Sequence, residues 1–245
     1  MSAWEVAVPS RRYRFFTFGL LAVLVLPPSL REAFPGAAMI GPALFVTLVA
    51  RVVATGRYTG IARAVLFTAM AAVALRGVRV SGVVPIHVWG VGFSLHLMTV
   101  LGFVFVVYEV LRHALAAGPV DADRLYAAVS AFLLIGMTFA SVYEAMVFCQ
   151  PSAFTFSNGH EDDADGLVYF SLVTLSTVGY GDVLPANPLA RVLAVLEAIL
   201  GQLYLAILMA RLVGLHLNHS GSAEALASSS KDEGDLSSTY SSEAP

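Results

Sequence analysis

Long apolar runs, separated by short segments that collect the charges, dominate this chain. A membrane-spanning helix needs about 20 mostly apolar residues. Six segments approach that length: about 14–30, 37–54, 61–80, 83–111, 124–148 and 188–217. The first is short and carries Pro27 and Pro28 near its end. The third is interrupted by Arg63, Arg76 and Arg79, and the fourth is long enough to tilt or to extend beyond a bilayer. Arg11, Arg12 and Arg14 ahead of the first run also suit a secretory signal peptide, but no small-residue cleavage site follows. A seventh apolar stretch, Gly166 to Ser176, is only about eleven residues and is too short to span.

Charge orients the six spans. With the N-terminus inside, the inner side holds Arg11, Arg12, Arg14, Arg51, Arg57, Arg63, Arg112, Arg124, Arg211 and Lys231. The outer side holds Arg31, Arg76, Arg79 and Arg191, so the split is ten to four. The positive-inside rule then puts both termini in the cytoplasm and the 151–187 loop outside. Composition agrees with a polytopic membrane protein: 58% of residues are hydrophobic, 13% are charged, and the mean hydropathy is +0.77. A net charge of −3 offers no basic excess for nucleic acid. The single Cys149 excludes an intrachain disulfide framework and a cysteine-based zinc site. The segment 218–245 has nine Ser and five acids against one Lys, which predicts a disordered tail.

The candidate chemistry lies between the fifth and sixth spans. Asp165 is a candidate N-cap for the short Gly166–Ser176 helix, which reads as a re-entrant half-helix stopping midway. Its C-terminal end would place partial negative charge near the membrane centre, where it stabilises a cation. Thr177-Val178-Gly179-Tyr180-Gly181 follows. Glycines at alternate positions allow positive φ, so successive carbonyls can face one axis. Non-helical backbone at membrane depth is tolerated where it lines a water-filled path, and a ring of carbonyls can replace an ion's hydration shell.

Thr177 to Asp182, TVGYGD, resembles the selectivity filter of tetrameric potassium channels. The resemblance extends over about 132–214. It implies an all-α membrane protein of six transmembrane helices plus one re-entrant pore helix, assembled as a homotetramer in the plasma (cell inner) membrane. It implies that the carbonyls of Thr177, Val178, Gly179 and Tyr180, with the Thr177 hydroxyl, coordinate K⁺, and that Gly181 completes the filter. It assigns filter support to Asp182, hydrogen-bonded to an aromatic cuff at Tyr169 and Phe170 with Tyr169 the donor, and to Glu144, which braces the pore loop. Val173 stands where some bacterial two-helix channels carry a buried glutamate. On the last helix, Gly201 matches the family's hinge glycine and Ala206 a small residue beyond it. Gln202, Leu205, Ala206 and Met209 share one face, which would line the cavity. Close helix packing is an equally open reading of Gly201.

The expected organisation is a cytoplasmic N-terminus (1–13), a four-helix membrane region (14–113), a pore domain (124–217) and a cytoplasmic tail (218–245). The function expected is passive, K⁺-selective conduction, with K⁺ ions and membrane lipid as partners, no cofactor and no enzymatic constellation. The fourth span, 83–111, contains no Arg or Lys, which argues against steep voltage gating. The tail is short for a gating domain, and the gating stimulus stays open. Glu197 is an intramembrane carboxylate, either functional or hydrogen-bonded to the pore helix, or to Thr174 or Ser176 of its own or a neighbouring subunit. Glu161, Asp162, Asp163 and Asp165 either concentrate cations at the mouth or are a solvated charge run. His87, His96 and Glu109 are either pH sensors or packed polar groups. A poorly selective cation channel, a transporter subunit and a non-conducting subunit are the competing readings. The transporter reading calls for four pore segments in one chain, and one is present here.

Overall fold

Long apolar segments become helices, and the computed structural model describes residues 12–31, 45–47, 89–116, 122–157 and 164–211. Numbering the helices in order, α1 is Arg12–Arg31, α2 is Trp89–Ala114, α3 is Ala122–Cys149 and α4 is Ala164–Leu175. The last helix, α5, is Pro188–Arg211. A 3-10 turn at Pro151–Ala153 and two short strands, β1 (Phe154–Phe156) and β2 (Val183–Pro185), complete the described elements.

Among the described residues three helices are long and apolar enough to cross a membrane: Gly92–Ala114, Ala122–Cys149 and Pro188–Arg211. They match the fourth, fifth and sixth predicted spans. The first span is helical, but its apolar part, Tyr13–Val25, is shorter. The second and third predicted spans lie outside the described residues, apart from the helical residues 45–47. The tail also lies outside them.

Helix α3 is the centre of the packing and contacts α1, α2 and α4. Its buried Ala127, Ala128 and Ala131 are small enough to let neighbouring helices approach closely, against Phe16 and Leu20 of α1 and Val106 and Val110 of α2. Polar groups in that contact are paired. Thr17 Oγ1 lies 2.8 Å from the Tyr13 carbonyl and 2.7 Å from Ser130 Oγ. The Tyr13 amide donates to Asp123 Oδ1 at 3.0 Å, so a carboxylate of α3 serves an amide in the first turn of α1.

Outside the helices, β1 and β2 pair antiparallel, with Phe154 opposite Pro185 and Phe156 opposite Val183. This ribbon corrects the all-α expectation. The Ser157 amide donates to the Asp182 carbonyl at 2.8 Å, extending the ribbon to the residue where the TVGYGD segment ends. Tyr143, Phe154 and Phe170 form a buried triangle beneath it, with ring centroids 5.2 to 5.4 Å apart and edge-to-face angles.

Helix α5 starts where its sequence allows. Asn187 Oδ1 accepts from the Ala190 amide at 2.7 Å, and Pro188 fills the first helical position. The Asn187 amide nitrogen also donates to Gln150 Oε1 at 3.1 Å, joining the cap to the end of α3.

Candidate functional site

The site begins with how α4 ends. Its last carbonyls are taken by the segment that follows: the Thr177 amide donates to Thr174 O at 2.9 Å and the Val178 amide to Val173 O at 2.9 Å. The Ser176 hydroxyl donates to Leu172 O at 2.7 Å. These bonds satisfy orphan carbonyls and force the chain sharply out of the helix. The helix begins at Ala164, so Asp165 lies inside its first turn and is not the N-cap.

From there the backbone alternates. Thr177 has φ of 58°, Gly179 of 56° and Gly181 of 80°. Among the described residues Thr177 is the one non-glycine with positive φ. A β-branched residue in that region is strained, and such strain gathers at functional segments. Val178 and Tyr180 between them are 53% and 71% exposed on the isolated chain. Nothing lies within 4 Å of a Cβ built on Gly179 or Gly181, so the φ values, and not crowding, demand glycine there.

The C-terminal end of this segment is braced by side chains. The Tyr169 hydroxyl donates to Asp182 Oδ2 at 2.9 Å, and Asp182 Oδ1 accepts from the Val183 amide at 3.1 Å. The Tyr180 ring lies parallel to that of Tyr169, with centroids 6.3 Å apart. Phe170 turns the other way, into the triangle with Tyr143 and Phe154. Glu144 is half-buried near the C-terminal end of α3.

Helices α4 and α5 run in the same direction along one seam, and three contacts mark its register. Ser171 Oγ meets Glu197 Oε1. One turn further along both helices, Leu175 meets Gly201, where a Cβ would stand 3.0 Å from the Leu175 carbonyl carbon. At the seam's end Gln202 Nε2 donates to Thr177 Oγ1 at 3.1 Å. Helix α5 therefore touches the first residue of the alternating segment directly. Leu205, Ala206 and Met209 continue the Gln202 face and are exposed on the isolated chain.

Sequence reasoning singled out Glu197 and a hydrogen bond to the short helix α4, but named neither Ser171 nor Tyr143. Its carboxyl meets Ser171 and the Tyr143 hydroxyl, the latter at 2.6 Å, and not Thr174 or Ser176. Arg211 was likewise read only as a topological charge. Its guanidinium donates to Ala114 O and Ala116 O, both at 2.6 Å, so the far end of α5 clasps the end of α2. Of the candidate pH-sensing groups, His96 is buried 5.1 Å from the Phe148 ring, and Glu109 pairs with Arg112 at 3.0 Å. His87 and the acids at 161–163 lie outside the described residues.

Residues 125–215 match a family model described as ion channel. Over 88 residues the chain is 35% identical to the two pore potassium channel c of Oryza sativa subsp. japonica. That match covers 36% of this chain and 18% of the rice protein, so the chain spans under a fifth of that relative's length. No solved structure matches the chain.

Proposed function

We propose that this chain, which carries over residues 125–215 an ion channel domain of the potassium channel family, forms a K⁺-selective pore from four copies of itself. The observation that carries the reading is the alternation of positive φ at Thr177, Gly179 and Gly181 immediately after a capped half-helix. Such alternation lets the carbonyls of Thr177, Val178, Gly179 and Tyr180 face one side, as a filter that replaces a hydration shell requires. One chain supplies one wall of such a path, and its exposed Val178, Tyr180 and α5 face are the surfaces that further copies would cover.

In this reading K⁺ moves passively down its electrochemical gradient. The Thr177 hydroxyl, hydrogen-bonded by Gln202, forms the innermost site together with the Thr177 carbonyl. Asp182 and Tyr169 hold the outer end in place. The chain crosses the plasma (cell inner) membrane six times with both ends in the cytoplasm, on the ten-to-four charge distribution. The fourth span carries no basic residue before Arg112, so opening is not steeply voltage-dependent.

The test is cation flux in liposomes holding the purified protein, driven by a K⁺ gradient and then by a Na⁺ gradient. K⁺ flux without Na⁺ flux, blocked by Ba²⁺, is the expected result. Equal flux of both ions would overturn selectivity. No flux at any pH or voltage would overturn the conducting homotetramer.

A further inference from the structure

Glu197 sits in the middle of α5 and is fully buried. Both of its carboxyl oxygens are engaged. The Tyr143 hydroxyl of α3 donates to Oε2 at 2.6 Å, and Ser171 Oγ of α4 is in hydrogen-bond contact with Oε1. The same Ser171 hydroxyl reaches the Gly136 carbonyl of α3 at 2.6 Å. A serine hydroxyl has one hydrogen to give. It cannot serve both a backbone carbonyl and a carboxylate.

A proton on Glu197 resolves the count. The carboxyl O–H then donates to Ser171 Oγ, Ser171 donates to Gly136 O, and Tyr143 donates to the other carboxyl oxygen. Every group in the chain has a partner. An ionised carboxylate would leave Ser171 short by one hydrogen. Among the described residues no basic side chain forms an ion pair with Glu197. A buried charge without a counter-ion is strongly disfavoured. The groups bonded to the carboxyl from the packed elements are Tyr143 of α3 and Ser171 of α4; Tyr143 is the titratable one, and here it acts as a donor.

We infer that Glu197 is held as a neutral carboxylic acid and is a positioning residue that pins the pore helix α4 between α3 and α5. The contact lies one turn before the Leu175–Gly201 contact and less than two turns before Thr177. Its geometry is passed along a continuous seam to the alternating segment. The positioning role rests on the K⁺-pore reading, whereas the protonation state does not.

The experiment uses the full chain in lipid and has two arms. The first is an infrared difference spectrum at neutral pH between the protein and Glu197→Gln. A protonated-carboxyl carbonyl band present in the unsubstituted protein and lost in the variant is expected. Its absence from the unsubstituted protein would overturn the inference. The second arm compares thermal stability and K⁺ flux. Glu197→Ala should lose both, because it strands Tyr143 and Ser171. Glu197→Gln, which can accept from Tyr143 and donate to Ser171, should restore them, and the shorter Glu197→Asp should not. A glutamine variant as damaged as the alanine variant would overturn the inference. Should the unsubstituted protein carry no K⁺, the pore reading falls, and the infrared band and the stability series still decide the state of Glu197.

Discussion

Leu175 and Gly201 meet so closely that α5 has no room for a side chain at that position. A Cβ on Gly201 would overlap the Leu175 carbonyl oxygen and stand 3.1 Å from Leu175 Cδ1. The obstacle is backbone, which cannot swing aside as a side chain can. This gives Gly201 a packing reason of its own, whatever bending the helix also performs.

The two roles predict opposite signs for Gly201→Ala. A glycine kept only for flexibility would gain about 0.5–1 kcal/mol on becoming alanine in a helix interior. An overpacked contact costs about 1–3 kcal/mol. The structure predicts the second: a lower melting temperature of the protein in detergent, with α4 displaced from α5. An alanine variant more stable than the original protein would contradict the close contact.

Gly179 poses a different constraint. Its φ of 56° lies in the left-handed region, while the space around a built Cβ is open. Alanine there is opposed by roughly 1–2 kcal/mol of backbone strain and not by a clash. Gly179→Ala should therefore fold and assemble with its helices intact, yet lose K⁺ flux because the carbonyl alternation is broken. Normal K⁺ flux in a folded Gly179→Ala protein would sink the filter assignment.

How much of this was legible beforehand depends on the range of the interaction. The helices over 89–114, 122–149 and 188–211 announce themselves by apolar length, and TVGYGD announces its own backbone through alternate glycines. The β1–β2 ribbon does not, because each strand is three residues long and its partner lies across α4 and the alternating segment. Periodicity carries no information on such a short pairing. Glu197 reaches α4 as expected, but which residue of α4 it meets was not legible for a related reason: seam register depends on how two helices dock, and a single-helix pattern leaves it free. Asn187-Pro188 was a readable cap signal, since asparagine followed by proline is what a helix start favours.

The Tyr169–Asp182 bond should be measurable as a coupling. Tyr169→Phe removes the donor at 2.9 Å, and Asp182→Ala removes the acceptor. A hydrogen bond to a charged acceptor contributes about 1.5–3 kcal/mol, less where water competes. In a double-mutant cycle on thermal stability, the two substitutions should be less than additive, and each should reduce the preference for K⁺ over Na⁺. Strict additivity would mean that the two side chains act independently.

Arg211 supplies the last prediction, and it needs no assumption about conduction. Its two terminal nitrogens reach Ala114 O and Ala116 O at 2.6 Å, where α2 has run out of amides to satisfy its last carbonyls. Arg124 also donates to Ala116 O, at 3.0 Å, so two arginines converge on one carbonyl. A guanidinium fits this double contact because its donors form a planar fork, and it opposes the negative end of the α2 dipole. Arg211→Lys keeps the charge but not the fork, and Arg211→Gln keeps neither. Hydrogen exchange read by mass spectrometry should therefore rise in peptides covering the ends of α2 and α5, more for glutamine than for lysine, while α4 stays protected. Equal protection in all three proteins would show that the clasp contributes nothing to holding the two helix ends together.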